Sequence, residues 1–327
     1  MRIRKKIFLL MMLGAMILAT ITVTNIKPAA AQASGTLAEI LARGCLIIGT
    51  DPTYPPFEAV NATTGDYEGF DIDLANQIAI HIGVGLQVEE SEWDPIIPNL
   101  KAKKFDMIVS AMTITPEREE EVDFSRWYYK SAQAILVPAG NPLGITSEED
   151  LNQTLTIGVQ SGTTSDIWVN ENLDLELVTL NTYTNILLAI TALKNEQVDV
   201  VLGDHAVLAQ DALVSGETEV VDTYSPEDFG IACRTADADL LDAVNDVLDD
   251  LLGLNPNNPE PTDLYNIMYY TWFDVSAADI GYTGTATAGT IPKAGPCGAT
   301  PGFEIAAVIL VLVVAFPLVR KFRKGRK

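Results

Sequence analysis

The segment Leu100-Lys-Ala-Lys-Lys-Phe-Asp-Met-Ile-Val-Ser-Ala-Met-Thr-Ile-Thr-Pro-Glu-Arg118 carries the strongest local signals of the chain. Its apolar centre predicts a buried strand, and Pro116 after Thr115 predicts a helix start capped by Thr115. Arg118 then stands in the first turn, where a cation is unfavourable by about 0.3–1 kcal/mol. An arginine beside free backbone N–H groups suits a bound carboxylate. The alternative is a solvated Arg118 paired with a glutamate of residues 119–121.

This pattern recurs 93 residues later, in Leu193-Lys-Asn-Glu-Gln-Val-Asp-Val-Val-Leu202. Around each copy, apolar strands alternate with amphipathic helices, and this order predicts a parallel sheet covered by helices. The sequence therefore predicts an α/β protein of two lobes, each a mainly parallel sheet flanked by helices, with a ligand cleft between them. Ligands of such sheets lie beyond the carboxyl ends of the strands, so the loops at 110–115 and 203–205 should face the cleft.

The periodicity predicts the following elements. The strands cover residues 45–50, 86–90, 106–111, 155–159, 177–180, 198–202 and 229–233, and the helices cover residues 70–82, 96–103, 164–171, 184–194, 240–252 and 263–272. Elements after the second copy indicate that the chain returns to complete the first lobe. We therefore expect lobe 1 to comprise residues 36–132 and 228–275, and lobe 2 residues 133–227. Crossovers near 132–137 and 226–230 would form the hinge.

Both chain ends carry export or membrane signals. A basic start, an apolar stretch and the small residues Ala31 and Ala33 predict a signal peptide over residues 1–33; a retained N-terminal anchor is the alternative. Residues 303–327 combine a short apolar span with a basic tail, which is typical of an anchor whose basic end stays inside. Residues 276–302 are rich in Gly, Ala, Thr and Pro and predict a flexible spacer. We expect an extracellular protein anchored to the outer face of the cytoplasmic membrane.

The tripeptide Pro301-Gly302-Phe303 stands at the start of the apolar span. Together with the span and the basic tail, it resembles the archaeal PGF-type C-terminal sorting signal. The resemblance implies that an archaeosortase removes the span and replaces it with a lipid anchor. The alternative is a plain stop-transfer helix that remains in the membrane.

The charge balance excludes one class of partner. The 327-residue chain has 21 basic and 44 acidic residues and a formal net charge of −23. About half of the basic residues lie in the two end segments, so the lobes are more acidic than the whole chain. Such a surface excludes nucleic-acid binding and fits a salty medium. Surface charge does not determine the charge of a ligand in a pocket.

The cysteines and histidines show no spacing typical of a metal site. Cys45 and Cys233 lie in apolar strand-like runs and are expected to be core thiols, with a disulfide between them as the alternative; Cys297 lies in the predicted spacer. His81 and His205 stand alone, and we interpret both as structural. The sequence predicts no metal and no cofactor.

Seven short motifs follow one another along residues 36–274. They are Gly49-Thr-Asp-Pro-Thr-Tyr-Pro-Pro-Phe57, Gly69-Phe-Asp-Ile-Asp-Leu-Ala75, Ile97-Pro-Asn-Leu100, Met112-Thr-Ile-Thr-Pro-Glu-Arg118, Val122-Asp-Phe-Ser125, Gly158-Val-Gln-Ser-Gly-Thr-Thr164 and Tyr269-Tyr-Thr-Trp-Phe273. As an ordered set they resemble the extracellular amino-acid-binding proteins of ABC importers, family 3 of the solute-binding proteins. The resemblance implies a monomeric, non-enzymatic protein of periplasmic-binding-protein-like fold (type II). It would capture a free amino acid by cleft closure and deliver it to the permease of an ABC transporter.

The resemblance also implies the ligand-binding residues. They are Asp51, Tyr54, Trp93, Ser110, Ala111, Thr113, Arg118, Gln160, Thr163 and Asp204. In this family one charge of each sign holds the part common to all amino acids. Arg118 would bind the α-carboxylate with backbone N–H groups of Thr113 and Thr163. Asp204 would bind the α-ammonium with Ser110, so the ligand would bridge the lobes and favour closure.

The position of Asp51, Tyr54, Trp93 and Gln160 implies contact with the ligand's side chain. Tyr54 and Trp93 would sandwich a planar or cationic group, worth about 0.5–2 kcal/mol for a cation. Asp51 suits a hydrogen-bond donor, so a polar or basic amino acid is expected. Gln160 is neutral where some glutamine binders of the family carry lysine, which disfavours glutamine. For Trp93, an ordinary core position is the alternative.

Other interpretations stay open at this stage. Asp204 suits a helix cap as well as a ligand contact, and Asp71 and Asp73 are interpreted as helix caps. The rival function is an enzyme, a dehydratase of prephenate or arogenate type on the same fold, which needs a general acid in the cleft. A sensor ectodomain is a third class and would require a cytoplasmic output domain.

Overall fold

The computed structural model describes residues 35–254, 261–273 and 291–297. The strands are β1 (Cys45–Thr50), β2 (Thr53–Tyr54), β3 (Glu58–Val60), β4 (Tyr67–Glu68), β5 (Gly85–Glu90), β6 (Met107–Ile108), β7 (Asp123–Pro138), β8 (Thr156–Gln160), β9 (Thr179–Tyr183), β10 (Val200–Asp204) and β11 (Thr218–Cys233). The helices are α1 (Thr36–Arg43), α2 (Phe70–Ile82), α3 (Ile96–Lys101), α4 (Pro116–Glu119), α5 (Thr164–Asn172), α6 (Ile186–Lys194), α7 (His205–Ser215), α8 (Ala238–Leu251) and α9 (Asp263–Phe273), with a 3₁₀ turn at Glu148–Leu151. This mixed α/β content, with helices flanking a mainly parallel sheet, confirms the predicted fold class.

The main sheet has the strand order β5-β1-β6-β11-β7-β10-β8-β9, and β2, β3 and β4 form a small separate sheet. On the lobe 1 side, β1 pairs in parallel with β5 and β6. On the lobe 2 side, β8 pairs in parallel with β9 and β10. The carboxyl ends of both parallel groups therefore open toward the middle of the molecule, where ligands of such sheets bind.

Two long strands, β7 and β11, join the parallel groups. They pair antiparallel along their whole length, and β11 contacts β6 at one end while β7 contacts β10 toward the other. The predicted crossovers at 132–137 and 226–230 lie inside these strands. Four register shifts interrupt their pairing, and such irregularities bend a two-stranded ribbon and strengthen its twist. A hinge at this ribbon stays a prediction.

The predicted strand over residues 106–111 is shorter in the structure, where β6 contains only Met107 and Ile108. Ala111 has φ +43°, a value that a regular strand does not allow. Its backbone N–H donates to the Asp71 carboxylate at 2.7 Å instead of to a neighbouring strand. Side-chain contacts below the cleft thus end the strand early.

The cysteine predictions are wrong for Cys45. It forms a disulfide with Cys297, with the two Cα atoms 4.8 Å apart. Cys233 remains a free, buried thiol, and burial raises its pKa. The alternative disulfide between Cys45 and Cys233 is therefore wrong too, because Cys45 is bonded to Cys297, which lies 252 residues further along the chain.

The disulfide fixes residues 291–297 to lobe 1. Gln77 donates to the carbonyl of Pro292 at 2.8 Å, and the N–H of Ala294 donates to Asn76 at 2.8 Å. This part of the predicted spacer is thus packed on α2, contrary to the expectation of a free segment. The rest of the predicted spacer lies outside the described residues.

No helix within residues 35–254, 261–273 and 291–297 has the length and apolar character needed to cross a membrane. The predicted signal peptide and the predicted C-terminal span lie outside these ranges.

Candidate ligand-binding site

A cavity lies where the parallel strands on the two sides of the β7–β11 ribbon end. All ten residues expected from the sequence line it, and Glu58 and Thr164 complete the lining. Asp51, Ser110 and Asp204 are among the buried polar residues, with 5%, 2% and 6% of their surface exposed. The structure thus brings the ten residues together, from both lobes.

Arg118 supplies the positive charge of the cavity. Thr115 caps α4 as predicted, since its hydroxyl accepts from the Arg118 N–H at 3.3 Å. The guanidinium donates one hydrogen bond, to the carbonyl of Thr113 at 2.8 Å, and lies 5.1 Å from the centre of the Trp93 ring. Burial lowers the pKa of Arg118, and the nearby carboxylates act in the opposite direction. The group remains a cation at any physiological pH.

The alternative for Arg118, an ion pair with a glutamate of residues 119–121, is not formed in the described part of the chain. Glu121 pairs with Lys101 on the surface instead. Since an arginine has five N–H donors and the described contacts use one, donors are left for a planar anion in the cavity.

Backbone donors accompany this charge. Thr113 pairs with Phe229 in an isolated antiparallel β-bridge. The two hydrogen bonds of this bridge run from the Ile114 N–H to the Asp228 carbonyl and from the Gly230 N–H to the Met112 carbonyl. The Thr113 N–H therefore takes no part in the bridge. Thr163 stands at the start of α5, where free N–H groups give a helix its positive end.

Asp204 supplies a negative charge from lobe 2. It occupies the position before α7, yet its side chain makes no capping bond. Its carboxylate accepts from the hydroxyl of Tyr54 at 2.6 Å and from the amide of Gln133 at 2.9 Å. The helix-cap alternative is therefore wrong for this side chain. Burial, followed by the charge of Glu227, raises the pKa of Asp204 well above its ordinary value.

Glu227 is a functional candidate that the sequence did not indicate. It lies on β11 and accepts from the Thr113 hydroxyl at 2.7 Å and from Gln133 at 3.1 Å. It lies in the stretch 226–230, which the sequence analysis assigned to a crossover and not to the ligand site. The negative charge of Glu227 raises the pKa values of both Arg118 and Asp204.

The other end of the cavity contains Asp51 and Gln160. One Asp51 oxygen accepts from the hydroxyl of Thr53 at 2.7 Å, and the other accepts from the Gln160 amide at 3.2 Å. Burial raises the pKa of Asp51, and these hydrogen bonds oppose the rise. The Asp51 side chain offers a partly shielded negative charge to this end of the cavity.

The two aromatic residues have separate polar partners. The Trp93 indole donates to the carbonyl of Gly162 at 3.1 Å and its face meets Arg118, whereas the Tyr54 hydroxyl donates to Asp204. Trp93 is half-buried at the cavity, which differs from the core alternative. A sandwich of the ligand between the two rings stays a prediction.

The interpretation of Asp71 and Asp73 as helix caps is wrong. Gly69 precedes α2, and no side-chain cap is present there. Asp71 is fully buried and accepts from the Ala111 N–H, while Asp73 accepts from the Trp272 indole at 2.7 Å. Both carboxylates therefore connect α2 to other parts of lobe 1.

Within the described residues, no group of His, Cys, Asp and Glu side chains could hold a metal ion. The cavity instead presents a guanidinium group, from Arg118, and carboxyl groups, from Asp204 and Asp51, at separate places in its lining. Hydrogen bonds from Tyr54 to Asp204, from Gln160 to Asp51 and from Trp93 to Gly162 cross it from one lobe to the other.

Comparison with known proteins identifies relatives along most of the chain. Residues 46–253 match the family model of bacterial extracellular solute-binding proteins, family 3. The L-cystine-binding protein TcyJ of Escherichia coli (strain K12) is 30% identical over 239 residues, which cover 72% of this chain and 88% of that protein.

Solved structures agree with this match. Holo ArgBP from T. maritima has a TM-score of 0.62 and 36% identity, and the match covers 65% of this chain and 92% of that one. The ancestral amino acid-binding protein AncCDT-1, described as a precursor of cyclohexadienyl dehydratase, has a TM-score of 0.65 and 38% identity; the match covers 72% and 99% of the two chains.

Proposed function

Because the chain belongs to the bacterial extracellular solute-binding proteins, family 3, we propose that it captures a free amino acid outside the cell and delivers it to an ABC importer. The observation that carries this proposal is the placement of Arg118 and Asp204 in one cavity, on different lobes. A free amino acid presents a carboxylate and an ammonium group on one carbon. One buried charge of each sign matches that pair, whatever the side chain.

In the proposed complex, Arg118 binds the α-carboxylate through its unused guanidinium donors, with the N–H groups of Thr113 and Thr163 beside it. Asp204 binds the α-ammonium, and Ser110 accepts a second hydrogen bond from it. Ala111 contributes backbone to the same wall. Since these contacts come from both lobes, the ligand stabilises the closed arrangement. The protein works as a monomer, without a cofactor.

The ligand's side chain is polar or basic, and the charge of the cavity favours a basic one. Among the described residues that line the cavity, Arg118 is the one basic residue, while Asp51, Glu58 and Asp204 are acidic and Glu227 lies next to it. A zwitterion adds no net charge. A cationic side chain beside Asp51 would offset the excess negative charge, and buried charges are tolerated when they are paired.

We also propose that residues 1–33 direct export and that residues 303–327 anchor the protein to the outer face of the membrane. In the finer form of this proposal, an archaeosortase replaces the apolar span with a lipid. Mass spectrometry of the native protein tests it, because a processed chain would end before Phe303 and carry a lipid mass. An intact, unmodified C-terminus would contradict processing.

A thermal-shift screen of the purified protein with the twenty amino acids tests the function. Basic amino acids should raise the unfolding temperature most, because a ligand that binds only the native state stabilises it by mass action. No shift with any amino acid would overturn the proposal. Turnover of prephenate or arogenate would then favour a dehydratase, which the buried carboxyl of Glu58 in the cavity wall could serve as a general acid.

A further inference from the structure

Two carboxyl groups lie on the same side of the cavity, Glu58 in its lining and Asp71 outside the lining, on different elements of lobe 1. Glu58 of β3 and Asp71 of α2 have 1% and 0% of their surface exposed. Glu58 Oε1 accepts from the Ser110 hydroxyl at 2.7 Å. Asp71 Oδ2 accepts from the Ala111 N–H at 2.7 Å and from the Tyr128 hydroxyl at 2.8 Å. Each side chain thus holds one residue of the 110–111 loop.

The second oxygen of each carboxyl, Glu58 Oε2 and Asp71 Oδ1, has no donor among the described groups. Because their other oxygens bind the consecutive residues Ser110 and Ala111, the two carboxyl groups lie close enough for the charge of one to act on the other. Two ionised carboxylates buried side by side would repel each other strongly, because little water is present to screen their charges. A proton on one of them converts this repulsion into a hydrogen bond.

The surroundings favour that proton. Burial raises the pKa of both groups, and the negative charge of Asp71 raises that of Glu58 further. The other titratable groups that face the pair are Asp51 from the end of β1 and Tyr128 from β7, and neither is a cation. Asp71 accepts from two donors besides Glu58, which suits its ionised form. The proton therefore belongs on Glu58 Oε2.

We infer that Glu58 and Asp71 share one proton and that this neutral-acid–carboxylate pair positions Ser110 as a hydrogen-bond acceptor for the ligand. A serine hydroxyl has one donor and two acceptor sites. The donor is directed to Glu58 Oε1, and one acceptor site takes the N–H of Asp51 at 3.0 Å. The remaining acceptor site suits an N–H donor such as an ammonium group. Glu58 and Asp71 are thus positioning residues that act through Ser110 and Ala111.

The pair also explains the backbone at Ala111. Its φ of +43° is uncommon for a residue with a Cβ atom and needs support from surrounding contacts. The hydrogen bond from its N–H to Asp71 supplies that support. Because Glu58 carries the shared proton, Asp71 can stay ionised and hold Ala111 without a second charge beside it.

Infrared spectroscopy of the whole protein at pH 7.5 tests the shared proton directly. The carbonyl stretch of protonated carboxylic acids should be present in the wild type and weaker in Glu58→Gln by the contribution of one group. Glu176→Gln makes the same chemical change at an exposed position of lobe 2 and should leave the band unchanged. Identical spectra of the wild type and Glu58→Gln would overturn the inference. This readout needs no ligand, so it is independent of the proposed function.

Amino-acid binding at pH 7.5 tests the positioning role, and this part rests on the proposed function. Glutamine can accept from Ser110 and donate to Asp71, so Glu58→Gln should keep the affinity within about threefold, whereas Glu58→Leu leaves both partners unsatisfied and should weaken it by about 10- to 100-fold. Thermal unfolding identifies a variant that does not fold. Equal affinities for folded Glu58→Leu and Glu58→Gln would contradict the positioning role.

Discussion

Replacing Arg118 with alanine removes the positive charge from the cavity lining. In the wild type the guanidinium is supported by the Thr113 carbonyl at 2.8 Å and by the face of Trp93 at 5.1 Å. In the variant, the carboxylate of a bound amino acid would meet Asp204, with Glu227 close by. The loss therefore includes a stranded anion as well as a missing hydrogen bond.

The structure indicates the size of the effect. Removing one partner of a buried, hydrogen-bonded charge pair costs about 2–5 kcal/mol. Since every 1.4 kcal/mol changes the dissociation constant tenfold, this corresponds to about 30- to 5,000-fold weaker binding. We expect the upper part of this range, because two carboxylates remain near the position of the lost cation.

Isothermal titration calorimetry measures this loss, with the amino acid that gives the largest thermal shift as ligand. Arg118→Lys is the matched variant: it keeps the charge but not the planar fork, so its affinity should lie between those of the wild type and Arg118→Ala. Arg126→Ala is the control, because Arg126 is half-exposed and pairs with Asp249 away from the cavity. It should bind as the wild type does.

The outcome that refutes this reasoning is a folded Arg118→Ala protein with near-normal affinity. The carboxylate would then be held elsewhere, and the assignment of the cavity would be wrong. A similar loss in Arg126→Ala would point to a general effect of removing a cation from an acidic protein.

Three further predictions follow from the described contacts. Asp204→Ala should weaken the binding of amino acids far more than that of the corresponding 2-oxo acids, because only the former carry an ammonium group; equal losses in calorimetry would argue against Asp204 as its partner. Cys297→Ser should lower the free energy of unfolding in urea by about 2–5 kcal/mol by removing the bond to Cys45, with ligand affinity unchanged. Burial raises the pKa of Asp71 to about 7 and that of Glu58 well above its ordinary value, so the native state keeps protons that the unfolded chain releases above about pH 4 to 5. The contribution of this pair to the free energy of unfolding is therefore largest at acid pH and is lost as the pH rises through 7. In Glu58→Gln, the free energy of unfolding measured by urea denaturation from pH 5 to 8.5 should depend less on pH than in the wild type.

The sequence predicted those elements whose signals are local. Strand β1 and helix α2 begin and end at the predicted residues, because an apolar strand run and a long helical period define them without help from elsewhere. The length of β7 and β11 was missed, because each strand depends on pairing with the other across the 79 residues between them. The bond from Cys45 to Cys297 was missed for a similar reason, because disulfide connectivity is not encoded in spacing.

The residues of the site also fall into two groups, those that local sequence signals predicted and those that they did not. The ten expected residues line one cavity, and most of them stand close to the end of a strand or the beginning of a helix. Glu58 and Glu227 carried no such signal, whereas Thr164 begins a predicted helix but was not among the expected site residues. Glu227 reaches the site because the β7–β11 ribbon places it beside Thr113, and Glu58 because β3 lies against the 110–111 loop. These contacts follow from tertiary packing, which residue patterns along one chain do not specify.

The balance between the hydrogen bonds that cross the cavity and the desolvation of its charged groups explains why a ligand with two opposite charges suits the site. The bonds from Tyr54 to Asp204 and from Gln160 to Asp51 each favour contact between the lobes by about 0.5–1.5 kcal/mol. In the proposed closure, Asp204 and Arg118 would leave water, and that desolvation would oppose closure by several kcal/mol for each ion. A ligand favours closure only through the difference between its contacts in the two states. A carboxylate on Arg118 and an ammonium on Asp204 offset this desolvation in the closed state alone, whereas an uncharged ligand would leave it in place.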